Sequence, residues 1–353
     1  MSSNINILDT TLRDGSYAIN FAFSSNDTSK ICKKLEDVGI NYIEIGHGLG
    51  LNASASGYGE AIQTDEEYLI AASSVLNKAN YGMFCIPGIA RLEDIDLAAK
   101  YNMKFIRIGT NVTEVENSKE YIERAKRHGM FVCSNFMKSY VLEPEDFAKK
   151  VKISENYGSD MVYLVDSSGG MFPSKIEEYY HAIRQTSGVS LGFHGHNNLN
   201  MAVINSIHAL KLGFEYIDTS LQGLGRSSGN AQTEILVAAL DKMGYRTGVD
   251  LLKILDVSFR YIYPLVQNKG FNPLDVIAGY ADFHTSYMSI IHKYAAKYSV
   301  NPAKLIIELT KHDKVNAKDS LVESIAKNMK KEEELYIGKY GFNKYFGHEQ
   351  DDK

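Results

Sequence analysis

The sequence predicts a TIM (β/α)8 barrel with a C-terminal helical extension. Two observations carry that prediction. Eight short strand-like runs alternate with longer helical stretches over about the first 248 residues of the 353-residue chain, and after that point only helical periodicity continues. A third observation disfavours a doubly wound open sheet. Its dinucleotide-binding form would place a G-x-G-x-x-G turn after the first strand, where this chain reads TLRDGS.

The strand-like runs are INILD (5–9), YIEIG (42–46), GMFCIP (82–87), FIRIGT (105–110), FVCSNFM (131–137), MVYLVDS (161–167), LGFHGH (191–196) and YIDTSLQG (216–223). They are short and rich in β-branched or aromatic residues, as strands buried on both faces should be. The segment SNDTSKICKKLEDVG (25–39) shows the helical design between them: Asn26 or Asp27 as cap, and Gly39 ending the helix in the left-handed conformation. NSKEYIERAKRHG (117–129) repeats it, and an eighth helix falls at about 230–243. The sequence therefore divides into a barrel domain (1–248), a helical domain (249–335) and a polar tail (336–353).

A net charge of −5 gives no reason to expect a nucleic-acid partner, and no apolar run is long enough to cross a membrane. MSSNINILD lacks the basic-then-apolar layout of a signal peptide. Cys32, Cys85 and Cys133 are widely spaced and odd in number, which fits small core residues in a reducing cytoplasm.

Chemistry in such a barrel belongs at the C-terminal ends of the strands. The polar residues there are Arg13 and Asp14, Glu44 and His47, Asn135, Asp166 and Ser167, His194 and His196, and Asp218 and Gln222. His194-Gly195-His196 is the most informative group. Residues two apart on a strand share a face, so both imidazoles point the same way. Two imidazoles with a carboxylate across the barrel form a divalent-metal site, and Asp14 is the natural third ligand because the first, seventh and eighth strands are neighbours in a closed barrel. The bland reading is a pair of hydrogen-bonded core histidines. Mixed N/O ligation suits Mn²⁺, Mg²⁺, Co²⁺ or Zn²⁺.

Three protein ligands leave room for a chelating 2-oxo acid, whose enolate the cation would stabilise. Arg13 could hold the enolate oxygen or the carboxylate, or form a salt bridge with Glu44. His47 lies in a Gly- and Ser-rich loop, GHGLGLNASASGYG, long enough to cover the barrel mouth. GLGRSSGNAQTE (223–234), which contains Arg226 and Asn230, reads either as a phosphate cradle or as a tight strand-to-helix turn. His128, His181, His208, His292, His312 and His348 fall on expected helices or the tail and carry no functional reading.

TLRDG, FHGHNNL and GLGRSSGNAQTE, in order and at barrel spacing, resemble the superfamily of pyruvate aldolases and acyl-condensing enzymes that includes hydroxymethylglutaryl-CoA lyase and isopropylmalate synthase. With DSSGGM, IDTSLQGLG and AGYADFHTSY, the resemblance is closest to the 4-hydroxy-2-oxovalerate aldolase family and spans about residues 5–330. It implies a TIM barrel of the HMGL-like, pyruvate-carboxyltransferase type with a small helical domain. It also implies a divalent metal, typically manganese, on Asp14, His194 and His196, with Arg13 on the pyruvate enolate. Ser167 would contact the pyruvate carboxylate, and Tyr280 would lie near the aldehyde end.

The implied reaction is reversible cleavage of a 4-hydroxy-2-oxo acid to pyruvate and an aldehyde, in association with an acylating aldehyde dehydrogenase. The helical extension could serve that partner or a homodimer. Two positions depart from the family pattern. The aldolases read T-L-R-D-G-S-H, where the histidine is the catalytic base, but Tyr17 stands there in this chain. A phenol of pKa near 10 is a poor base at neutral pH, so Tyr17 is a tuned base, a proton donor or a pocket wall, with His47 or water moving the proton in the last case. Arg226 replaces a small residue, where it would either meet an anionic substrate group or lie on the surface. The competing readings are an acetyl-CoA-dependent Claisen condensing enzyme acting on a 2-oxo acid, an iron oxygenase built on the same triad, and a non-catalytic scaffold.

Overall fold

Each of the eight strand-like runs becomes a strand: β1 (Asn6–Asp9), β2 (Tyr42–Ile45), β3 (Asn80–Cys85), β4 (Phe105–Asn111), β5 (Phe131–Met137), β6 (Met161–Asp166), β7 (Ser190–Gly195) and β8 (Tyr216–Thr219). All pair in parallel with their sequence neighbours, and β8 closes on β1 with Leu8 opposite Asp218. The computed structural model describes residues 5–266 and 273–331. The expected polar tail (336–353) lies outside the described residues.

The barrel helices are α1 (Ser25–Asp37), α2 (Asp65–Ser73), α3 (Leu92–Lys100), α4 (Lys119–Arg127), α5 (Pro144–Tyr157), α6 (Pro173–Thr186), α7 (Ala202–Leu212) and α8 (Thr233–Lys242). α1 begins two or three residues earlier than the sequence suggests. Ser24, rather than Asn26 or Asp27, is the cap, and Asp27 returns the bond to the Ser24 amide. The reciprocal arrangement satisfies two otherwise orphaned groups, which one carboxylate cap alone would not. β8 is also shorter than expected. It ends at Thr219 and passes into a 3₁₀ turn over Leu221–Gly223, where Gln222 takes positive φ.

Alternation along each strand separates two environments. Ile106 and Ile108 of β4, and Leu191 and Phe193 of β7, pack outward against the helices. Their neighbours point into the barrel, which is plugged near the N-terminal end of the strands by Phe131, Cys133, Met161, Tyr163 and Tyr216. Above that plug the interior is polar: Glu44, Arg107, Asn135, His194 and Asp218 converge on one another.

Among the described residues five α-helices follow: α9 (Leu251–Tyr261), α10 (Pro273–Ala281), α11 (Met288–Tyr298), α12 (Pro302–Thr310) and α13 (Asp319–Asn328). α9 inserts Ile254 and Val257 into the apolar layer of the barrel. α10 to α13 bury a separate cluster running from Leu274 to Ala326. α10 is tied to the barrel mouth by Asn198 Nδ2, which donates to the Asp275 carbonyl at 3.0 Å, and by Ser227 Oγ, which donates to Asp275 Oδ1 at 3.2 Å. No helix among the described residues is long and apolar enough to cross a membrane.

Candidate active site

Asp14, His194 and His196 meet at the barrel mouth, each buried, with one possible ligand atom apiece lying within 4.8 Å of the others. The strand period places the two imidazoles together, with ring centroids 5.0 Å apart and planes nearly perpendicular. Asp14 arrives on the 3₁₀ turn Asp14–Ile19 that follows β1.

Each ligand is held from behind. His194 Nδ1 lies 2.8 Å from Asp218 Oδ2, and His196 Nδ1 lies 3.3 Å from the Gly229 carbonyl. Both acceptors fix the proton on Nδ1 and leave Nε2 as the coordinating atom. Asp14 Oδ1 accepts from Arg13 Nη1 at 2.8 Å, and Oδ2 accepts from Asn230 Nδ2 at 2.6 Å. Burial alone would raise the Asp14 carboxyl, but the charges of Arg13, His196 and His194, with the Asn230 bond, hold it well below the usual carboxylate range. Burial, with the charges of His194 and Arg226, pushes His196 down to about 4 against the pull of Asp14. Near neutral pH the triad is thus a carboxylate with an unprotonated imidazole at His196. That donor set fits a divalent cation.

Gly225 makes the cradle possible. A Cβ there would stand 2.8 Å from Asp14 Oδ2 and 2.6 Å from Asn230 Nδ2.

Arg13 forms the salt bridge considered from the sequence, with Nε 2.7 Å from Glu44 Oε2. Nη1 is on Asp14, so Nη2 is left without a hydrogen-bond partner among the described residues. The same Glu44 oxygen accepts from Arg107 Nη1 at 2.9 Å, and Arg107 Nη2 reaches both Asn135 and Asp218. A fully buried guanidinium therefore links the support of Arg13 to that of His194.

Tyr17 is buried beside this group, edge-on to Phe21 at 5.3 Å and under the Arg226 guanidinium at 4.2 Å. Gly48 lies against its ring so closely that a Cβ would approach to 2.5 Å. Arg226 is accordingly a buried residue, not a surface one. His47 stacks on Phe21 at 3.8 Å, and both of its nitrogens are engaged: Nε2 with the Gly59 carbonyl at 3.1 Å, and Nδ1 with the Leu49 amide at 3.1 Å. Burial lowers its pKa to about 4. This arrangement pins the loop after β2 and does not offer a nitrogen to substrate.

Ser167, at the end of β6, accepts the Lys138 amide at 2.9 Å. Asp166 closes its own loop by accepting from the Gly170 and Met171 amides. Gln222 is structural and bonds to Glu234 and Ser258. The segment 223–234 forms a tight turn, with the amides of Gly223, Gly229 and Asn230 donating to the Ser220, Arg226 and Gly223 carbonyls. Tyr280 is not brought into this group. It is 70% exposed, because Leu274, Ala278 and Ala281 define the buried face of α10 and Tyr280 falls on the other.

Three residues at the mouth were not singled out from the sequence: Arg107, Lys138 and His284. Arg107 alternates with outward-facing Ile106 and Ile108, so a charge on the inner face of a strand was a readable signal. Lys138, which bonds Tyr287 Oη at 2.9 Å and the Val315 carbonyl at 2.8 Å, and His284, in a turn of the helical extension, carried none.

The HMGL-like family model matches residues 4–259. The chain is 36% identical to a protein from Carboxydothermus hydrogenoformans named 4-hydroxy-2-oxovalerate aldolase, over 94% of this chain and 99% of that one. It is 34% identical to 4-hydroxy-2-oxovalerate aldolase 2 from Nocardia farcinica, over 92% and 94% of the two chains. Among solved structures, the carboxyl transferase domain of Rhizobium etli pyruvate carboxylase superposes with a TM-score of 0.75 at 15% identity, covering 93% of this chain and 61% of that one. The HMG-CoA lyase of Brucella melitensis gives 0.66 at 19%, over 76% of this chain and all of that one. At those identities the two structures bear on the fold alone.

Proposed function

This chain belongs to the HMGL-like family and, within it, to the 4-hydroxy-2-oxovalerate aldolases, and on that premise we propose that it is a divalent-metal-dependent carbon–carbon lyase. It cleaves a 4-hydroxy-2-oxo acid reversibly to pyruvate and an aldehyde. The observation that carries this reading is the convergence of Asp14, His194 and His196 beside Arg13 at the barrel mouth.

Asp14, His194 and His196 would hold the cation, which supplies Lewis-acid stabilisation of the negative charge that gathers on the C2 oxygen as the bond breaks. Arg13 has Nε and Nη1 fixed by Glu44 and Asp14, which leaves Nη2 as the nitrogen to meet an oxygen of the enolate. Ser167 has its oxygen on the Lys138 amide and can turn its proton to the substrate carboxylate. The Tyr17 ring, under Arg226, walls off water.

Manganese suits the mixed N/O donor set. The three cysteines are buried free thiols, in keeping with a reducing cytoplasm. An acylating aldehyde dehydrogenase is the natural recipient of the aldehyde. Exposed Leu252, Leu255, Phe259 and Tyr263, spaced along one stripe of α9 and the turn after it, suit a homodimer contact.

Proton NMR of pyruvate in D₂O tests the reading. Protein with Mn²⁺, quenched with EDTA before measurement, should erase the methyl signal, and Asp14→Asn should abolish the exchange. Release of free CoA from acetyl-CoA in the presence of 2-oxo acids would point to the condensing enzyme instead.

A further inference from the structure

Cleavage of a 4-hydroxy-2-oxo acid begins with removal of the proton from the 4-hydroxyl, and the mouth of the barrel holds few groups able to take it. Tyr17 is a phenol beneath a guanidinium. His47 has both nitrogens committed to backbone groups. His194 and His196 turn Nδ1 to Asp218 and Gly229, so that Nε2 belongs to the cation.

His284 is different. It lies in the turn between α10 and α11 and is 7% exposed. Its Nδ1 sits 2.6 Å from Ser286 Oγ and 3.3 Å from the Ser286 amide, while Nε2 has no hydrogen-bond partner among the described residues. Arg226, Lys138 and His196, from the loops after β8, β5 and β7, lie near enough to act on it electrostatically. The turn is fastened over the mouth by Tyr287. That ring is 6.3 Å from His284, and its hydroxyl receives Lys138 Nζ at 2.9 Å.

We infer that His284 is the residue that exchanges a proton with the 4-hydroxyl oxygen of the substrate, in place of the histidine that Tyr17 replaces. The inference rests on the aldolase reading above. In cleavage, Nε2 takes the hydroxyl proton and the C4–O bond becomes the aldehyde carbonyl. The C3–C4 pair becomes the C2–C3 double bond of the enolate, and the C2 carbonyl pair moves onto its oxygen. C3 then takes a proton from solvent and the imidazolium returns its own, so the step needs no oxidant or reductant. Ser286 Oγ, 2.6 Å away, can accept from Nδ1–H, and that tautomer leaves the lone pair on Nε2; the Ser286 amide, which otherwise donates to Nδ1 at 3.3 Å, then gives up the longer contact. Burial first, and then the charges of Arg226 and Lys138, favour the neutral ring.

Oxaloacetate provides the test, because its decarboxylation makes the same enolate with no hydroxyl proton to remove. His284→Gln and His284→Ala should lower cleavage of 4-hydroxy-2-oxopentanoate about 100-fold or more while Mn²⁺-dependent decarboxylation of oxaloacetate stays within about threefold. Cleavage retained in these variants, or both reactions lost together in both of them, overturns the assignment. If the unaltered protein performs neither reaction, the aldolase reading fails and this inference falls with it.

Discussion

His194 Nδ1 donates to Asp218 Oδ2 at 2.8 Å, and that same carboxylate oxygen also receives Arg107 Nη2. One acceptor thus orients a metal ligand and neutralises a buried cation. Asp218→Asn keeps the shape but removes the charge that holds Nδ1–H in place. Mn²⁺ affinity, read from the free-ion EPR signal, should fall about 10- to 100-fold.

Arg107 is fully buried and is shared by Glu44, Asn135 and Asp218. Arg107→Leu would leave two carboxylates facing each other in the barrel with only Arg13 and His194 to balance them. Urea unfolding should show a loss of about 3–5 kcal/mol, the scale for removing one partner of a buried ion pair.

Gly225 stands where a Cβ would come within 2.8 Å of Asp14 Oδ2. Gly225→Ala should displace the carboxylate or Asn230 and weaken Mn²⁺ binding, with far-UV circular dichroism unchanged. Unaltered Mn²⁺ affinity would show that the turn relaxes around the methyl group.

Asp9 is buried and accepts from the Thr11 amide and hydroxyl at 3.0 Å each. Burial raises its pKa to about 7, reinforced by Glu234 and Asp218 and opposed by the Thr11 bonds. Because the folded value lies above the unfolded one, the folded state binds the extra proton. Its stabilising contribution is complete below about pH 4 and is lost as pH rises through 7. Between pH 5 and 7 this group should lower stability with a slope of up to about 1.4 kcal/mol per pH unit. Asp9→Asn should flatten that part of the profile in urea titrations at pH 5, 6, 7 and 8.

The sequence alone determined what depends on local period and local chemistry. Eight β-branched runs and the helices between them dictated the barrel. The two-residue repeat put His194 and His196 on one face, and TLRDG placed Arg13 and Asp14 at a strand end. Gly39 ends α1 at φ +102°, as its position after the last helical turn requires. The tertiary structure decided what depends on closure. The ring of strands brings Arg107 of β4 to Asp218 of β8, 111 residues away, and makes one charge network from side chains that no local pattern connects. Burial of one face of α10 turned Tyr280 to solvent, and the packing of the helical extension over the mouth carried His284 toward the triad. A histidine in a turn has no period to betray it, because its neighbours come from other parts of the chain.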